Sequence, residues 1–279
     1  MDNTINHVTV IGAGTMGSQI AMVAALAGIT TTLTDISQDA LDRAREQLHA
    51  RMERKGTVDA LENLTFTTDR DSAVAHTDIV VEAAIEDIDI KRTLFAELDA
   101  IAPPHTILVT NSSNIVSSRI ADATTRADKV CNMHFFNPAL VMECVEIVCH
   151  PGTSEATRAT VTELAERMGK KPIQVRKEIP GFVANRLLNA LRKEALELYA
   201  DGVASFEDID AAATTALRHP MGPFQLMDLV GIDVVYLIRQ AEYEQTGDAA
   251  SLPHPEITKL YQAGRYGRKT GHGWYAYEG

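Results

Sequence analysis

Cysteine and long apolar runs are scarce in this chain, and each shortage excludes a class of protein. The three cysteines, Cys131, Cys144 and Cys149, form no C-x-x-C pair, which argues against a metal site or a disulfide framework. An odd number of cysteines without a C-x-x-C pair is typical of a reducing compartment, so we expect a cytoplasmic protein. No apolar stretch approaches the roughly 18 residues needed to span a membrane. Because the first predicted strand begins within a few residues of Met1, we expect no signal peptide.

Positive charge is also in short supply. Lysine and arginine number 26 against 38 aspartates and glutamates, which gives a formal net charge of −12. Because the phosphate backbone attracts basic surfaces, this charge argues against nucleic acid as a partner. An anionic small ligand held by a local basic patch is still compatible with it. The chain otherwise has the composition of a globular protein, and its 279 residues are enough for two domains.

Residues 8–35 are organised as strand, glycine loop, helix, strand and acid, in that order. Val8–Ile11 is a β-branched run that predicts a buried strand. Helical spacing of apolar residues predicts a helix over 18–27, and Thr30–Thr34 predicts a second strand that leads to Asp35. The loop has the sequence G-x-G-x-x-G and consists of Gly12, Ala13, Gly14, Thr15, Met16 and Gly17. This order within about thirty residues is the fingerprint of a dinucleotide-binding unit.

Each part of this unit has a physical role. Gly12 permits a tight turn, Gly14 lets a pyrophosphate approach the backbone, and Gly17 lets the helix pack against the sheet. The amide groups and the dipole at the helix start favour phosphates. Asp35 would accept hydrogen bonds from a ribose diol and repel a 2′-phosphate, which favours NAD over NADP. FAD uses the same fingerprint and is the main alternative; a purely structural glycine turn is the other.

Strand and helix patterns alternate up to about residue 180, and only helical patterns follow. The predicted strands after residue 35 cover residues 65–68, 78–81, 106–110, 129–134, 141–148 and 172–175, with helices at 38–55, 87–101 and 154–168. Beyond Pro180 and Gly181, helices are predicted at 182–199, 206–217, 222–229 and 234–244. Such alternation predicts an α/β fold with a doubly wound, Rossmann-type sheet over residues 1–180. An all-α domain is expected over residues 181–279.

Three polar clusters, residues 84–87, 111–114 and 134–137, follow predicted strands, where such sheets bind their ligands. His134 stands out among them. Glu146 lies in the next predicted strand, and a hairpin would bring its carboxylate to the imidazole. The carboxylate would fix the tautomer and support the imidazolium, as a catalytic base requires. Taken alone, His134 would more often be a structural histidine, but its position among these clusters favours catalysis.

A basic face is predicted at the end of the 38–55 helix. Arg51, Arg54 and Lys55 are spaced i, i+3 and i+4, so they share one side of the helix. The simpler interpretation is a solvated face. The alternative is a clamp for the phosphorylated tail of a ligand.

Seven motifs, spread over essentially the whole chain, resemble those of the L-3-hydroxyacyl-CoA dehydrogenases, and within that family the short bacterial 3-hydroxybutyryl-CoA dehydrogenases. The motifs are IGAGTMG, EAAIEDIDIK, TNSSNI, HFFNP with VEIV, KEIPGFVANRLL, HPMGPFQLMDLVGID and GRKTGHGWY. The resemblance implies NAD-dependent oxidation of short-chain L-3-hydroxyacyl-CoA to 3-ketoacyl-CoA, and the reverse reaction. It also implies a homodimer formed through the helical domain, which would bind substrate as well.

The resemblance implies roles for individual residues. His134 would take the proton from the substrate's C3 hydroxyl while hydride passes to the nicotinamide, and Glu146 would orient His134. Ser113 and Asn137 would hydrogen-bond the reacting oxygen beside the nicotinamide, and Asn185 would close the site from the helical domain. The family positions near the cofactor correspond to Glu86, Lys91 and Lys269.

Two departures from the family pattern keep alternatives open. Asn114 replaces a small hydroxyl residue in the family's N-T-S-S-L motif, and the segment from Lys55 to Thr65 is shorter than the usual helical hairpin that helps hold the CoA tail. The VCHPGTS and VRKEIPGF stretches also resemble the gulonate dehydrogenase and lambda-crystallin branch. One alternative is therefore an NAD-dependent dehydrogenase of a free hydroxy acid such as L-gulonate. The other is a non-catalytic NAD-binding structural protein, against which the complete set of catalytic positions argues.

Overall fold

The computed structural model describes residues 5–277, apart from the side chains of Gln245 and Thr246. The chain divides into two compact units, Met1–Val183 and Ala184–Gly279. Within residues 5–277, the eight strands of the sheet lie in the first unit, and the second unit is helical. This is the predicted Rossmann-type α/β sheet followed by an all-α domain.

The first unit is built on one eight-stranded sheet with the order β3-β2-β1-β4-β5-β6-β7-β8. Neighbouring strands are parallel except β6 and β7, which form an antiparallel pair. The strands are β1 His7–Ile11, β2 Thr30–Thr34, β3 Leu64–Thr67, β4 Ile79–Glu82, β5 Ile107–Thr110, β6 Val130–Phe135, β7 Cys144–Val148 and β8 Lys171–Val175. The strand order reverses direction between β1 and β4. Ligands of open α/β sheets bind beyond the strand ends at such a point.

Helices cover both faces of this sheet. In chain order they are α1 Thr15–Leu26, α2 Gln38–Lys55, α3 Arg70–Val74, α4 Ile88–Ile101, α5 Ser118–Ala121 and α6 Glu155–Arg167. Alternate residues of the strands enter two separate cores. Val8 and Val10 pack with residues of α1, α2 and α6, whereas Ile11 and Val80 pack with residues of α3, α4 and α5. Because both faces are buried, the central strands β1, β4 and β5 consist mainly of β-branched and other apolar residues, as is typical of parallel strands.

The helical unit comprises α7 Ala184–Ala200, α8 Phe206–Thr215, α9 Pro223–Val230, α10 Ile232–Thr246 and α11 Pro255–Gln262. Its core includes a cluster of aromatic rings, among them Phe224 and Trp274, whose centroids lie 4.6 Å apart. Buried Asp228 accepts hydrogen bonds from the backbone N–H of Trp274 and Tyr275, both at 2.9 Å. This carboxylate therefore fixes the C-terminal segment to α9.

The structure corrects several predicted boundaries. Residues 141–143, predicted as part of a strand, form a turn and a loop, and the exposed side chains of Val141 and Met142 explain why their apolar character misled the prediction. The helix predicted from residue 182 begins at Ala184, since Gly181 and Phe182 have φ angles of 73° and 46°. Helices α3, α5 and α11 were not predicted. Within residues 5–277, no helix combines the length and apolar character needed to cross a membrane.

Candidate active site

The glycine loop after β1 shows why its first and last glycines are needed. Gly12 has a φ of 101°, and a Cβ there would lie 2.7 Å from the Ala83 carbonyl oxygen. A Cβ on Gly17 would lie 1.8 Å from the carbonyl oxygen of Gly12. Gly14 differs, because a Cβ there would meet nothing within 4 Å. The packing therefore requires Gly12 and Gly17, while Gly14 faces open space in which a ligand can approach the backbone.

The N-terminus of α1 has no capping side chain and no acidic residue in its first turn. By contrast, Ser37, Asp87 and Ser154 cap α2, α4 and α6. The first amide groups of a helix have no intrahelical partner, and together with the helix dipole they form an anion site. The uncapped start of α1, next to open space at Gly14, fits the pyrophosphate of a dinucleotide.

Asp35 lies at the end of β2, where an acid can reach the adenosine ribose. Its Oδ2 accepts a hydrogen bond from Ala13 N–H at 2.7 Å, and its Oδ1 accepts one from Ser37 N–H at 2.9 Å. A carboxylate has about four lone-pair positions, so acceptor capacity is left for ribose hydroxyls. Asp35 thus also fixes the glycine loop, a function that its sequence position did not suggest.

His134 and Glu146 face each other across the antiparallel β6–β7 pair, as the register of the two strands requires. The distance between His134 Nδ1 and Glu146 Oε2 is 2.9 Å, and both side chains are buried. A carboxylate on Nδ1 holds the imidazole proton there, which leaves Nε2 as the acceptor. Among residues 5–277, no side chain or backbone group hydrogen-bonds Nε2. The pair therefore has the geometry of a proton acceptor with its orienting carboxylate.

Two aromatic rings flank the imidazole. The centroid of Phe136 lies 4.5 Å from that of His134 in an edge-on arrangement, and the centroid of Phe182 lies 5.5 Å away. Phe182 is completely buried, and the next residue, Val183, donates its backbone N–H to Glu146 Oε1 at 2.9 Å. Phe182 and Val183 lie in the KEIPGFVANRLL motif and were predicted to begin a helix, but no role at the site was predicted for them, because the contact depends on how the chain returns to β6 after β8.

The loops after β5 and β6 emerge side by side, since these strands are parallel neighbours. Asn111, in the loop after β5, accepts the Phe135 N–H at 2.9 Å, and this hydrogen bond connects the loop to the end of β6. Glu86 reaches the same region: it accepts hydrogen bonds from the Ser112 hydroxyl and, at 3.3 Å, from Asn114 N–H. The predicted residues Ser113 and Asn137 lie in these two loops, with Ser113 half-buried and Asn137 exposed. The loops thus gather polar groups at the strand ends.

Glu82 and Lys91 form a buried ion pair that the sequence analysis missed. Lys91 Nζ lies 2.6 Å from Glu82 Oε1 and 3.5 Å from Glu86 Oε2. Glu82 also accepts hydrogen bonds from Ala84 N–H at 2.7 Å and from the Thr110 hydroxyl at 2.6 Å. Lys91 was expected near the cofactor, and its side chain is only 1% exposed. The sequence signal that could have identified this pair was an acid at the end of a buried strand, followed by a lysine in the next helix.

The other predicted residues are more dispersed. Arg51, Arg54 and Lys55 end α2, and none of them forms an ion pair within the described part of the chain. Asn185 and Lys269 belong to the helical unit, where Lys269 Nζ lies 2.6 Å from Asp233 Oδ2. Their roles in catalysis and cofactor binding remain predictions.

A nucleotide-binding sheet whose strand ends also carry a buried histidine–carboxylate pair has the parts of an NAD-dependent oxidoreductase. The family models agree with this class. The NAD-binding domain model of the 3-hydroxyacyl-CoA dehydrogenases matches residues 7–179, and the C-terminal domain model matches residues 181–277. The chain therefore belongs to the 3-hydroxyacyl-CoA dehydrogenase family.

Individual relatives are similar over almost their full length. The human mitochondrial hydroxyacyl-coenzyme A dehydrogenase is 38% identical over 289 residues, covering 98% of this chain and 92% of that protein. The 3-hydroxybutyryl-CoA dehydrogenase of Clostridioides difficile is 40% identical over 277 residues, covering 96% and 98%. A solved diketoreductase structure, described as acting on dicarbonyl compounds, is 34% identical with a TM-score of 0.88, and the match covers 98% of this chain and 99% of that one.

Proposed function

We propose that this enzyme interconverts short-chain L-3-hydroxyacyl-CoA and 3-ketoacyl-CoA with NAD, and that 3-hydroxybutyryl-CoA and acetoacetyl-CoA are its principal substrates. The observation that carries the proposal is the buried His134–Glu146 pair at the strand ends, with Nε2 of the imidazole left as acceptor. The preference for a four-carbon acyl chain is supported by the 40% identity to a 3-hydroxybutyryl-CoA dehydrogenase.

In the oxidation, His134 Nε2 accepts the proton of the C3 hydroxyl as the carbonyl forms. The Glu146 carboxylate, 2.9 Å from Nδ1, stabilises the imidazolium that results. In the reduction the same imidazolium returns the proton to the oxygen. Ser113 and Asn137 hydrogen-bond that oxygen and hold it next to His134. The chemistry that bound NAD supplies is acceptance or donation of the hydride at the carbinol carbon.

The residues that would hold NAD follow the strand ends. The glycine loop, Gly12 to Gly17, and the uncapped start of α1 would bind the pyrophosphate, and Asp35 would bind the adenosine ribose. Glu86 would contact the nicotinamide half, together with Ser113 and Asn137. Lys91 would act indirectly, by holding Glu86 in position through their contact. Lys269 and Asn185, which belong to the helical unit, are the remaining predicted site residues.

Arg51, Arg54 and Lys55 are the proposed contacts for the phosphates of the CoA tail. Their support is that they share one end of α2 and form no ion pair with an acidic side chain of the described residues. Replacing all three by alanine should raise the KM for acetoacetyl-CoA and leave the KM for acetoacetate unchanged. Arg43→Ala, an exposed cation earlier on the same helix, is the control. An unchanged KM for the thioester would exclude the clamp.

A second candidate is reduction of a carbonyl compound that carries no CoA. Two observations favour it: the similarity to a diketoreductase, and the short connection between α2 and β3, which consists mainly of the 3-10 helix Val58–Asn63. NADH oxidation with acetoacetyl-CoA and with acetoacetate, at matched concentrations and repeated with NADPH, separates the candidates. We expect strong preference for the thioester and for NADH. Equal or higher rates with acetoacetate would favour the second candidate.

We also propose a cytoplasmic homodimer that associates through the helical unit. Support comes from apolar side chains, each more than a third exposed, at the end of α9 and on α10: Leu229, Val230, Val234, Leu237 and Ile238. Light scattering should give the mass of a dimer, and Leu237→Lys should shift it to that of a monomer. Val203→Lys, at an exposed position between α7 and α8, is the control. A monomeric unaltered protein at working concentration would contradict this assembly.

A further inference from the structure

Phe182 adopts an unusual backbone conformation for its residue type. Its φ is 46°, in the left-handed region, and Gly181 before it has a φ of 73°. Bulky residues seldom occupy this region, and where they do the surrounding structure holds them there, often at functional sites. The Phe182 side chain is fully buried, among Val116, Val148 and Val175. The packing around its ring therefore holds the backbone in this conformation.

Phe182 and its neighbour contact both members of the proton-transfer pair. The Phe182 ring lies 5.5 Å from the imidazole of His134, and the Val183 N–H donates to Glu146 Oε1 at 2.9 Å. Glu146 uses its other oxygen, Oε2, for His134 Nδ1. The direction of the Val183 N–H depends on the backbone angles of Phe182, because the two residues share a peptide group. The left-handed conformation thus directs a donor at the carboxylate that orients His134.

We propose that Phe182 is a positioning residue for His134 and Glu146. Contact with its ring fixes the orientation of the imidazole. Its backbone conformation directs the Val183 N–H toward Oε1 of Glu146, so that Oε2 faces Nδ1 of His134. This inference rests on the proposed function, in which His134 transfers the proton. It adds a residue that does not touch the substrate but sets the geometry of the transfer.

The chain provides a matched control in Phe95. This residue is also fully buried, but it lies on α4 in the core formed with α3 and α5, and it has no contact with His134 or Glu146. Phe95→Leu and Phe182→Leu remove the same atoms from two cores. If Phe182 has only a structural role, the two substitutions should have similar effects on the thermal unfolding midpoint, on kcat and on the solvent isotope effect.

The experiment compares Phe182→Leu with Phe95→Leu in the full-length enzyme, using NADH and acetoacetyl-CoA. We expect both variants to lower the thermal unfolding midpoint. Only Phe182→Leu should lower kcat, by roughly 10- to 100-fold, because small misplacements of reacting groups have effects of this size. The fluorescence-measured Kd for NADH should be unchanged in both variants. The solvent deuterium isotope effect on kcat should rise only in Phe182→Leu, as proton transfer becomes slower.

Equal kcat values and isotope effects in the two variants would overturn the proposal. If Phe182→Leu does not fold, Phe182→Met, which preserves more of the volume, is compared with Phe95→Met by the same criteria. His134→Ala distinguishes this inference from the proposed function. Turnover retained in His134→Ala would refute His134 as the base. Turnover lost in His134→Ala, together with an unchanged kcat and isotope effect in Phe182→Leu, would refute only the positioning role.

Discussion

The ammonium group of Lys91 lies 2.6 Å from Oε1 of Glu82, and the two side chains are 1% and 0% exposed. Glu82 also binds the Ala84 N–H and the Thr110 hydroxyl, so this pair connects the ends of β4 and β5 with helix α4. Lys91 in turn reaches Glu86, which contacts the loop that carries Ser113. The ion pair therefore helps to fix the positions of the polar loops that follow β4 and β5.

Removing one partner of this pair should destabilise the protein strongly. Lys91→Met leaves the Glu82 carboxylate buried without a cation, and the expected loss is about 3–5 kcal/mol in the free energy of unfolding. Arg70→Met, which breaks the partly exposed pair with Glu97, should lose less than about 1 kcal/mol. Urea unfolding of both variants measures the difference. Similar losses would contradict the claim that the buried Glu82 carboxylate depends on Lys91 for its stability.

Glu146→Gln should reduce turnover without weakening cofactor binding. The amide keeps the shape of the side chain but cannot stabilise an imidazolium at Nδ1, so kcat should fall by roughly 10²- to 10⁴-fold. Glu143→Gln, at an exposed position just before β7, should leave kcat unchanged. Steady-state kinetics with acetoacetyl-CoA, together with NADH fluorescence titration, tests this. A Glu146→Gln enzyme with full kcat would show that the carboxylate has no part in proton transfer.

Asp35→Asn should weaken the discrimination against NADPH. Loss of the negative charge removes the repulsion of a 2′-phosphate, so the ratio of the Kd values for NADPH and NADH should fall roughly tenfold, equivalent to about 1.4 kcal/mol. NADH binding should also weaken somewhat, since Asp35 accepts the Ala13 N–H. Asp59→Asn, at an exposed position beyond α2, controls for net charge. An unchanged ratio would mean that another group selects the cofactor.

Asp99 should contribute stability that disappears in acid. Burial alone would raise its pKa, but hydrogen bonds from Thr125 and from Arg126, whose Nε lies 2.6 Å from Oδ1, outweigh burial and lower the pKa below 3.8. A lowered pKa in the folded state stabilises the protein at neutral pH, and this stabilisation is lost as the pH falls through the folded-state pKa. Asp99→Asn should therefore lower the thermal midpoint at pH 7, with a smaller difference toward pH 2.

The control for this pH dependence is Asp201→Asn, at an exposed position after α7. Its thermal midpoint should follow that of the unaltered protein across the same range. A destabilisation by Asp99→Asn that is as large at pH 2 as at pH 7 would contradict the assignment, because a protonated carboxyl would then be as stabilising as the carboxylate.

The sequence was sufficient where short-range pattern determines structure. The β1–α1–β2 unit, the alternation of strands and helices, the NAD-binding class and the family were all predicted and are confirmed. β-branched strands and glycine positions carry this information within a few residues. The hairpin that faces His134 with Glu146 could be predicted for the same reason, since each residue lies in a short apolar strand and the strands are adjacent in the chain.

Features fixed by distant contacts could not be predicted. The left-handed φ of Phe182 depends on burial of its ring among Val116, Val148 and Val175, and the local pattern favoured a helix there. Glu82 was not identified because its partners Thr110 and Lys91 come from other elements. The apolar residues Val141 and Met142 suggested a strand but are exposed. In each case the tertiary environment overrides local preference.

The most direct test of the central claim is turnover of acetoacetyl-CoA by NADH in His134→Ala, measured together with the Kd for NADH. We expect turnover to fall at least about 10²-fold, while NADH binding stays close to that of the unaltered enzyme because His134 is not needed to hold the cofactor. That result would establish His134 as the group that transfers the proton. Turnover equal to that of the unaltered enzyme would contradict the account and require another acid–base residue at these strand ends.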